Sequence, residues 1–207
     1  MKLQKTDHIS RPWRIHEITN DFRIEDVWAL PTPGGPDDLE RLVRQMTEGK
    51  DLKDMPLVIR VLFAIRWKLG GLLGLDGPGA AVGARVPSLR DRLPADLRDI
   101  SRGPDPGAVP FTSLYLTDDE WAAETANRTV HAVMHIGWVQ DESGGHRGQM
   151  AVLVKPNGLL GKLYMAAIAP FRYLVVYPML MRSIGRGWQL RAEGQNVDQH
   201  QVGTNIK

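Results

Sequence analysis

The sequence predicts an α+β domain in which a curved antiparallel sheet wraps around one long C-terminal helix. Three observations carry this. Residues 111–116, 120–125, 129–139 and 149–154 read as four strands. The last of them leads almost directly into a long, mostly apolar stretch from Gly158 to Arg186. That stretch has the periodicity of a helix, with apolar and basic residues on opposite arcs. A short domain that ends in strands and then a single long helix leaves room for a cavity between the two.

The long helix is the most informative part of the chain. At about 100° per residue, Lys162, Arg172, Arg182, Ser183 and Arg186 gather on one arc. Leu160, Leu163, Tyr164, Ala167, Phe171, Leu174, Val175 and Met181 fall mainly on the other, predicting a wide apolar face turned toward the sheet. Pro170 and Pro178 each remove a backbone donor and predict a bend. Gly185 and Gly187 predict the stop. Residues 187–207 are polar and aperiodic and read as a disordered tail.

Upstream, residues 1–24 form an N-terminal extension whose first part, 1–11, reads as a loose lead-in. Residues 13–18 and 25–30 suggest short strands, and Pro31-Thr32-Pro33-Gly34-Gly35-Pro36 breaks the chain. Asp37 opens a helix with Leu39, Leu42, Val43 and Met46 on one face. A second helix starts at Asp54-Met55-Pro56, where proline suits a first turn, and runs to about residue 73. Residues 74–83 are a loop, Ser88-Leu89-Arg90-Asp91 a capped turn, and 93–107 a polar, proline-punctuated stretch that predicts a mobile loop. Thr117-Asp118-Asp119-Glu120 is a capping box that favours helix locally, so the strand over 120–125 requires tertiary packing to override it. The domain proper spans residues 25–186.

Composition narrows the function. At 207 residues one domain is expected. The net charge is only +2, with both signs interspersed, and no basic block points to nucleic acid. The chain has no cysteine, which excludes disulfides, thiolate metal sites and cysteine nucleophiles. The first residues carry no apolar core, so the expected location is cytoplasmic. Residues 163–181 are long enough to span a bilayer. Arg172 near their middle would cost at least ~2.5 kcal/mol there, and two prolines interrupt them. The other apolar run, 57–75, carries Arg60, Arg66 and Lys68. The expectation is no transmembrane span, with peripheral membrane contact open, because apolar helices with basic edges suit an interface.

Three segments together resemble one bacterial family. Pro56 followed by Ile65-Arg66 and Gly74-Leu75 resembles its first long helix. Asp119-Glu120 followed by Asn127-Arg128-Thr129 resembles its central hairpin. Gly158-Leu159-Leu160-Gly161-Lys162-Leu163-Tyr164 with Pro170-Phe171-Arg172 resembles its closing helix, usually Gly-Leu-x-Gly-Arg-x-Tyr and then Pro-Phe-His. The family is a domain of unknown function, sometimes found behind an NAD(P)-binding short-chain-dehydrogenase-like domain, and is similar to the START-like (SRPBCC) helix-grip superfamily. The resemblance covers roughly residues 25–186. It implies a helix-grip fold whose cavity takes a small apolar or aromatic molecule, lipid- or polyketide-like. Arg172 stands where histidine is common, so no role of that histidine carries over.

Candidate residues divide accordingly. Met134 and Trp138 on a strand, with Tyr164 and Phe171 on the helix, are the nominated ligand lining. Trp28, Trp67, Trp121 and Tyr177 are the other large rings of the expected core. Glu124 at the hairpin, Tyr164 or a histidine is the candidate for acid or base if the same pocket serves a cyclase- or lyase-like enzyme. Glu25 and Asp26 are expected to pair with Arg66 or Arg172. His131 and His135 share a strand face but sit ~13 Å apart at about 3.3 Å per residue, too far for one zinc ion. The alternating Val130, Ala132, Met134, Ile136 and Trp138 should face the helix, leaving both histidines on the outer surface. Gly77–Gly83 lacks the strand–turn–helix context of a dinucleotide loop. No metal or cofactor is expected. A binding module, an enzyme using the same pocket and a membrane or protein-interaction module all remain open.

Overall fold

The computed structural model describes residues 1–48, 82, 86–107, 109–141 and 143–204, with side chains of the last helix through Arg191. The second helix expected from Asp54, the Gly77 loop, Arg66 and Trp67 fall essentially outside these residues.

The elements in chain order are α1 (Thr6–Ile9), α2 (Ile15–Ile18), β1 (Arg23–Ala29), α3 (Leu39–Thr47), a 3-10 turn (Leu89–Arg92), α4 (Ala95–Arg98), β2 (Thr112–Leu116), β3 (Glu120–Ala126), β4 (Val130–Gln140), β5 (His146–Pro156), α5 (Gly158–Phe171), a π turn (Arg172–Val176) and α6 (Tyr177–Thr204). The five strands form one antiparallel sheet in the order β1-β5-β4-β3-β2. The four strands predicted before the long helix are present, and so is β1. The capping box loses to the sheet: Trp121, Ala122 and Ala123 are fully buried in β3, where burial on both faces outweighs local helix propensity.

Strand alternation sorts side chains onto two covered faces. On one, Trp121, Ile136, Trp138 and Met150 pack against Leu39, Leu42 and Val43 of α3 and Tyr177, Ile184 and Trp188 of α6. On the other, Ala122, Val133, Val139, Ala151 and Leu153 pack against Trp13, Ile15, Ile18, Leu89, Leu93 and Leu97.

The second face corrects three expectations. Residues 1–11 are tied to β1: Ala29 N–H donates to the Met1 carbonyl at 2.8 Å and Leu3 N–H to that of Val27 at 2.9 Å. Residues 13–18 hold helix α2 rather than a strand, because Ile15 and Ile18, three apart, bury one helical face. The stretch 93–107 contains α4, and Leu93 and Leu97 anchor it in the core at the helical i, i+4 spacing.

The long helix opens on two glycines with distinct reasons. Gly158 has φ +65°, a left-handed turn out of β5. Gly161 passes so close to the β3–β4 turn that a Cβ there would meet the Thr129 carbonyl oxygen at 2.1 Å. Pro170 and Pro178 flank the π turn. The helix then runs through Gly185 and Gly187 to Thr204, past the predicted stop and into the predicted tail.

The apolar arc does not face the sheet as predicted. Gly161 and Met165 are buried, but Leu160, Leu163, Ala167 and Leu174 are exposed, Leu174 at 77%. The π turn supplies part of the reason. At uniform pitch Tyr177 would point about 120° away from Met165. One residue's worth of extra turn rotates everything after it back by about 100°. Tyr177, Ile184 and Trp188 then fall within roughly 40° of Met165, and all three are buried.

Candidate functional site

Between the long helix and β1 lies a polar cluster on the helix-facing side. Asp26 and Trp28 sit opposite Val152 and Met150 of β5, which sit opposite Met134 and Ile136 of β4, so all six share the helix-facing side. Asp26 is only 1% exposed. The hydroxyls of Tyr173 and Tyr177 both donate to its carboxylate, Tyr177 at 2.7 Å. Arg172 Nη2 lies 3.4 Å from Asp26 and 3.1 Å from Glu25, the ion pair anticipated from the sequence. The Lys2 ammonium stands 4.1 Å over the Tyr173 ring, and the Trp28 and Tyr177 rings are 4.7 Å apart.

The electrostatics follow from burial and this carboxylate. Burial, then the bond to Asp26, pushes the Tyr173 phenol up to about 12. The same causes raise Tyr177 further, so both remain donors. Burial works against the Arg172 charge, but Tyr177, Asp26 and Glu25 outweigh it and hold the guanidinium protonated. Two donors in the cluster stay unused. Trp28 Nε1 and Arg172 Nε are both shut off from solvent, with no acceptor among the described residues. Such a buried N–H is costly to leave unmade.

The nominated lining is split. Met134, half-buried, and Trp138 belong to the cluster formed with α6, and Trp138 Nε1 donates to the Gly35 carbonyl at 2.8 Å while its ring stacks at 6.0 Å from Trp188. Tyr164 packs instead near the start of the long helix with Ala132, Val152 and Ile168. Phe171 is half-buried between these groups in sequence and joins neither of their cores.

Glu124 lies on the opposite face. It pairs with Val133, whose side chain points to the N-terminal side, so Glu124 and Tyr164 are separated by the sheet. Glu124 is 1% exposed, not at a solvated turn. It accepts from the Ser88 hydroxyl at 2.5 Å, the Leu89 N–H at 3.2 Å and His131 Nε2 at 2.7 Å. Glu120, four residues earlier, repeats the device: it accepts from Arg14 N–H at 2.7 Å, Tyr115 hydroxyl at 3.1 Å and His135 Nε2 at 2.8 Å. Each Glu–His pair is diagonal across β3 and β4, and each clamps the start of a short helix to the sheet. His131 and His135 do turn away from the long helix, but the N-terminal segments bury both, correcting their expected surface position. Burial opposes the charge on both glutamates, yet the histidines and backbone donors hold them below the usual carboxylate range.

The clamp at Glu120 extends outward through His8, whose Nε2 is 3.0 Å from His135 Nδ1, to His16, whose Nε2 is 3.1 Å from His8 Nδ1. One set of neutral tautomers satisfies every link, with each Nε2–H donating toward Glu120. Burial, reinforced by the two neighbouring imidazoles, lowers the His8 pKa to about 2. Among the described residues no group of three or more His, Asp or Glu side chains is arranged to hold a metal ion.

Sequence reasoning missed Tyr173, Glu120, His8 and His16. The Glu120/Glu124 and His131/His135 spacings are both i, i+4. Read around the Asn127 turn, they put each glutamate diagonal to a histidine, and that signal was available. Asn127 itself explains its motif: its side-chain oxygen accepts from Thr129 N–H, the Thr129 hydroxyl and Val130 N–H at 2.8, 2.6 and 3.0 Å.

Sheet and helix together define an α+β protein with a five-stranded antiparallel sheet and a long C-terminal helix. The chain belongs to the family described as "Protein of unknown function (DUF2867)", which it matches over residues 18–179. No curated protein and no solved structure matches it. Asp26, Arg172, Tyr173 and Tyr177 lie inside the matched span, whereas His8 and His16 precede it.

Proposed function

We propose that this chain is a helix-grip, START-like binding module that holds a small, mainly apolar or aromatic molecule, lipid- or polyketide-like, between the sheet and the long helix. One observation carries the reading: among the described residues two buried N–H donors, Trp28 Nε1 and Arg172 Nε, have no acceptor beside the Asp26–Tyr177 pair. A ligand carbonyl or carboxylate oxygen supplies the missing acceptor, while half-buried Trp28, Met134 and Tyr173 offer apolar and aromatic surface. Pockets of this kind are largely apolar with a few placed polar groups. Tyr164 and Ile168 pack with Ala132 and Val152 nearer the start of the helix, outside this group.

The cyclase- or lyase-like alternative has less support. Glu124 faces the other side of the sheet and is already engaged by Ser88, Leu89 and His131.

The test is native mass spectrometry of freshly purified protein for a co-purified ligand, together with titration by the neutral fluorophore N-phenyl-1-naphthylamine. A saturable single site is expected. Arg172→Lys keeps the cation beside Glu25 and Asp26 but deletes the Nε donor. It should displace the co-purified ligand while leaving unfolding nearly unchanged. Ala132→Trp, on the half-buried helix-facing side, should block the probe. No bound ligand and no saturable probe binding by the wild type would overturn the proposal.

A further inference from the structure

The long helix carries an exposed arc that the sheet does not use. Leu159, Leu160, Leu163 and Leu174 are 73%, 53%, 60% and 77% exposed, and Ala166, Ala167 and Pro170 between them are exposed as well. At about 100° per residue these seven fall within an arc of roughly 120°. They lie opposite the buried Gly161 and Met165. Past the π turn, with its rotation of about 100° taken back, exposed Arg182 and Arg186 continue the same arc. Between Gly158 and Arg191 there is no Asp or Glu, against five Lys and Arg residues. By length and composition this helix is apolar enough to cross a membrane. One of its sides is committed to the sheet through Gly161, Met165, Tyr177, Ile184 and Trp188, and Arg172 is paired with Glu25 and Asp26. A helix so held lies along a surface and does not cross it.

We propose that this arc docks the protein onto an anionic lipid bilayer, the leucines entering the headgroup–acyl boundary and Arg182, Arg186 and Lys162 meeting lipid phosphates. The charge pattern selects this occupant. A second copy of the chain on the same arc would set cations against cations, because the arc holds no acid to neutralise them. The inference stands on the outward side of the helix and is independent of the ligand site on its inward side.

The experiment is flotation of the full chain with vesicles of phosphatidylcholine alone and of phosphatidylcholine with phosphatidylglycerol, at low and high salt. Binding is expected to the anionic vesicles, weakening with salt and with the removal of phosphatidylglycerol. Arg182→Gln with Arg186→Gln should weaken it roughly 25-fold, at about fivefold per cation, and flatten the salt dependence. Leu163→Glu with Leu174→Glu should weaken it at least tenfold. Because both leucines are exposed, that variant should unfold like the wild type and keep probe binding. Failure of the wild type to float with anionic vesicles, or equal flotation of the leucine variant, overturns the proposal. So does a dimer in sedimentation velocity that Leu163→Glu dissociates, which would assign the face to a second copy. Loss of probe binding without loss of flotation would sink only the ligand site.

Discussion

Replacing Asp26 by alanine should loosen the long helix from β1, and the size of the effect can be worked from the cluster. Asp26 is 1% exposed and accepts hydrogen bonds from two tyrosine hydroxyls, with Arg172 3.4 Å away. A hydrogen bond to a charged group is worth about 1.5–3 kcal/mol. Tyr177, 4% exposed, would be left with a buried hydroxyl and no acceptor, whereas half-buried Tyr173 can turn to water. Arg172 keeps Glu25 at 3.1 Å, so the full penalty for an orphaned buried charge does not apply. The net loss expected is about 3–4 kcal/mol, a large share of the ~5–15 kcal/mol that holds a domain folded. Urea unfolding followed by circular dichroism measures it. A double-mutant cycle isolates the cause: in a Tyr177→Phe background Asp26→Ala should cost at least ~1 kcal/mol less. A loss below about 1 kcal/mol, or strictly additive single variants, would refute the account of this carboxylate as the seat of the helix.

Other expectations follow from the same geometry. Leu174→Asp, severely destabilising on the sequence-derived helix face, should change stability by no more than about 0.5 kcal/mol, because Leu174 is exposed; chemical denaturation decides. Gly161→Ala should cost roughly 1–3 kcal/mol or more, since a Cβ meets the Thr129 carbonyl at 2.1 Å and backbone must move; thermal melting checks it. His8 is neutral when folded and titrates near 6.5 when unfolded, so the unfolded chain binds more protons between about 2 and 6.5. Its contribution is fully present above 6.5 and falls by up to ~1.4 kcal/mol per pH unit below it. Urea midpoints from pH 7.5 to 5 should therefore slope less steeply in His8→Gln. Tyr177, raised in the fold, works in the opposite sense: its stabilisation is complete below its ordinary value of about 10 and fades as pH rises above it. Alkaline unfolding should shift upward in Tyr177→Phe relative to that variant's own neutral-pH stability.

The strands were legible because their alternation is regular and the turns on either side of β3 are marked by Asp119 and Asn127. The closing helix was legible by its length and its glycines. Its buried side was not, since a sequence wheel assumes constant pitch and assigns the most apolar arc to the core. Here the most apolar arc, Leu159 to Leu174, points outward. The N-terminal segment was misread because residues 1–18 have few apolar side chains. Besides Trp13, Ile15 and Ile18, polar groups hold them: Glu120 reaches the backbone of α2, and His8 joins His135. Such anchors depend on residues more than a hundred positions away, which local pattern cannot reveal.

The π turn is what makes a site of the junction between helix and β1. Arg172 and Tyr177 are five residues apart, and in an uninterrupted α-helix they would point about 140° from each other. Across the π turn the Tyr177 N–H donates to the Arg172 carbonyl, the i→i+5 bond that stacks those two positions. Both side chains therefore reach Asp26, and Tyr173 beside them does too. Pro170, two residues before the turn, lacks the N–H that would bond the Ala166 carbonyl, and Pro178 just after it lacks the one for Leu174, so the regular ladder is already broken on both sides. The same irregularity seats Ile184 and Trp188 on the sheet and leaves the leucine arc outside. One local change of pitch thus fixes the polar cluster under the helix and the apolar face above it. Deleting a single residue within 172–176 should disturb ligand retention, unfolding stability and vesicle binding together, whereas point changes on either side of the helix should separate them.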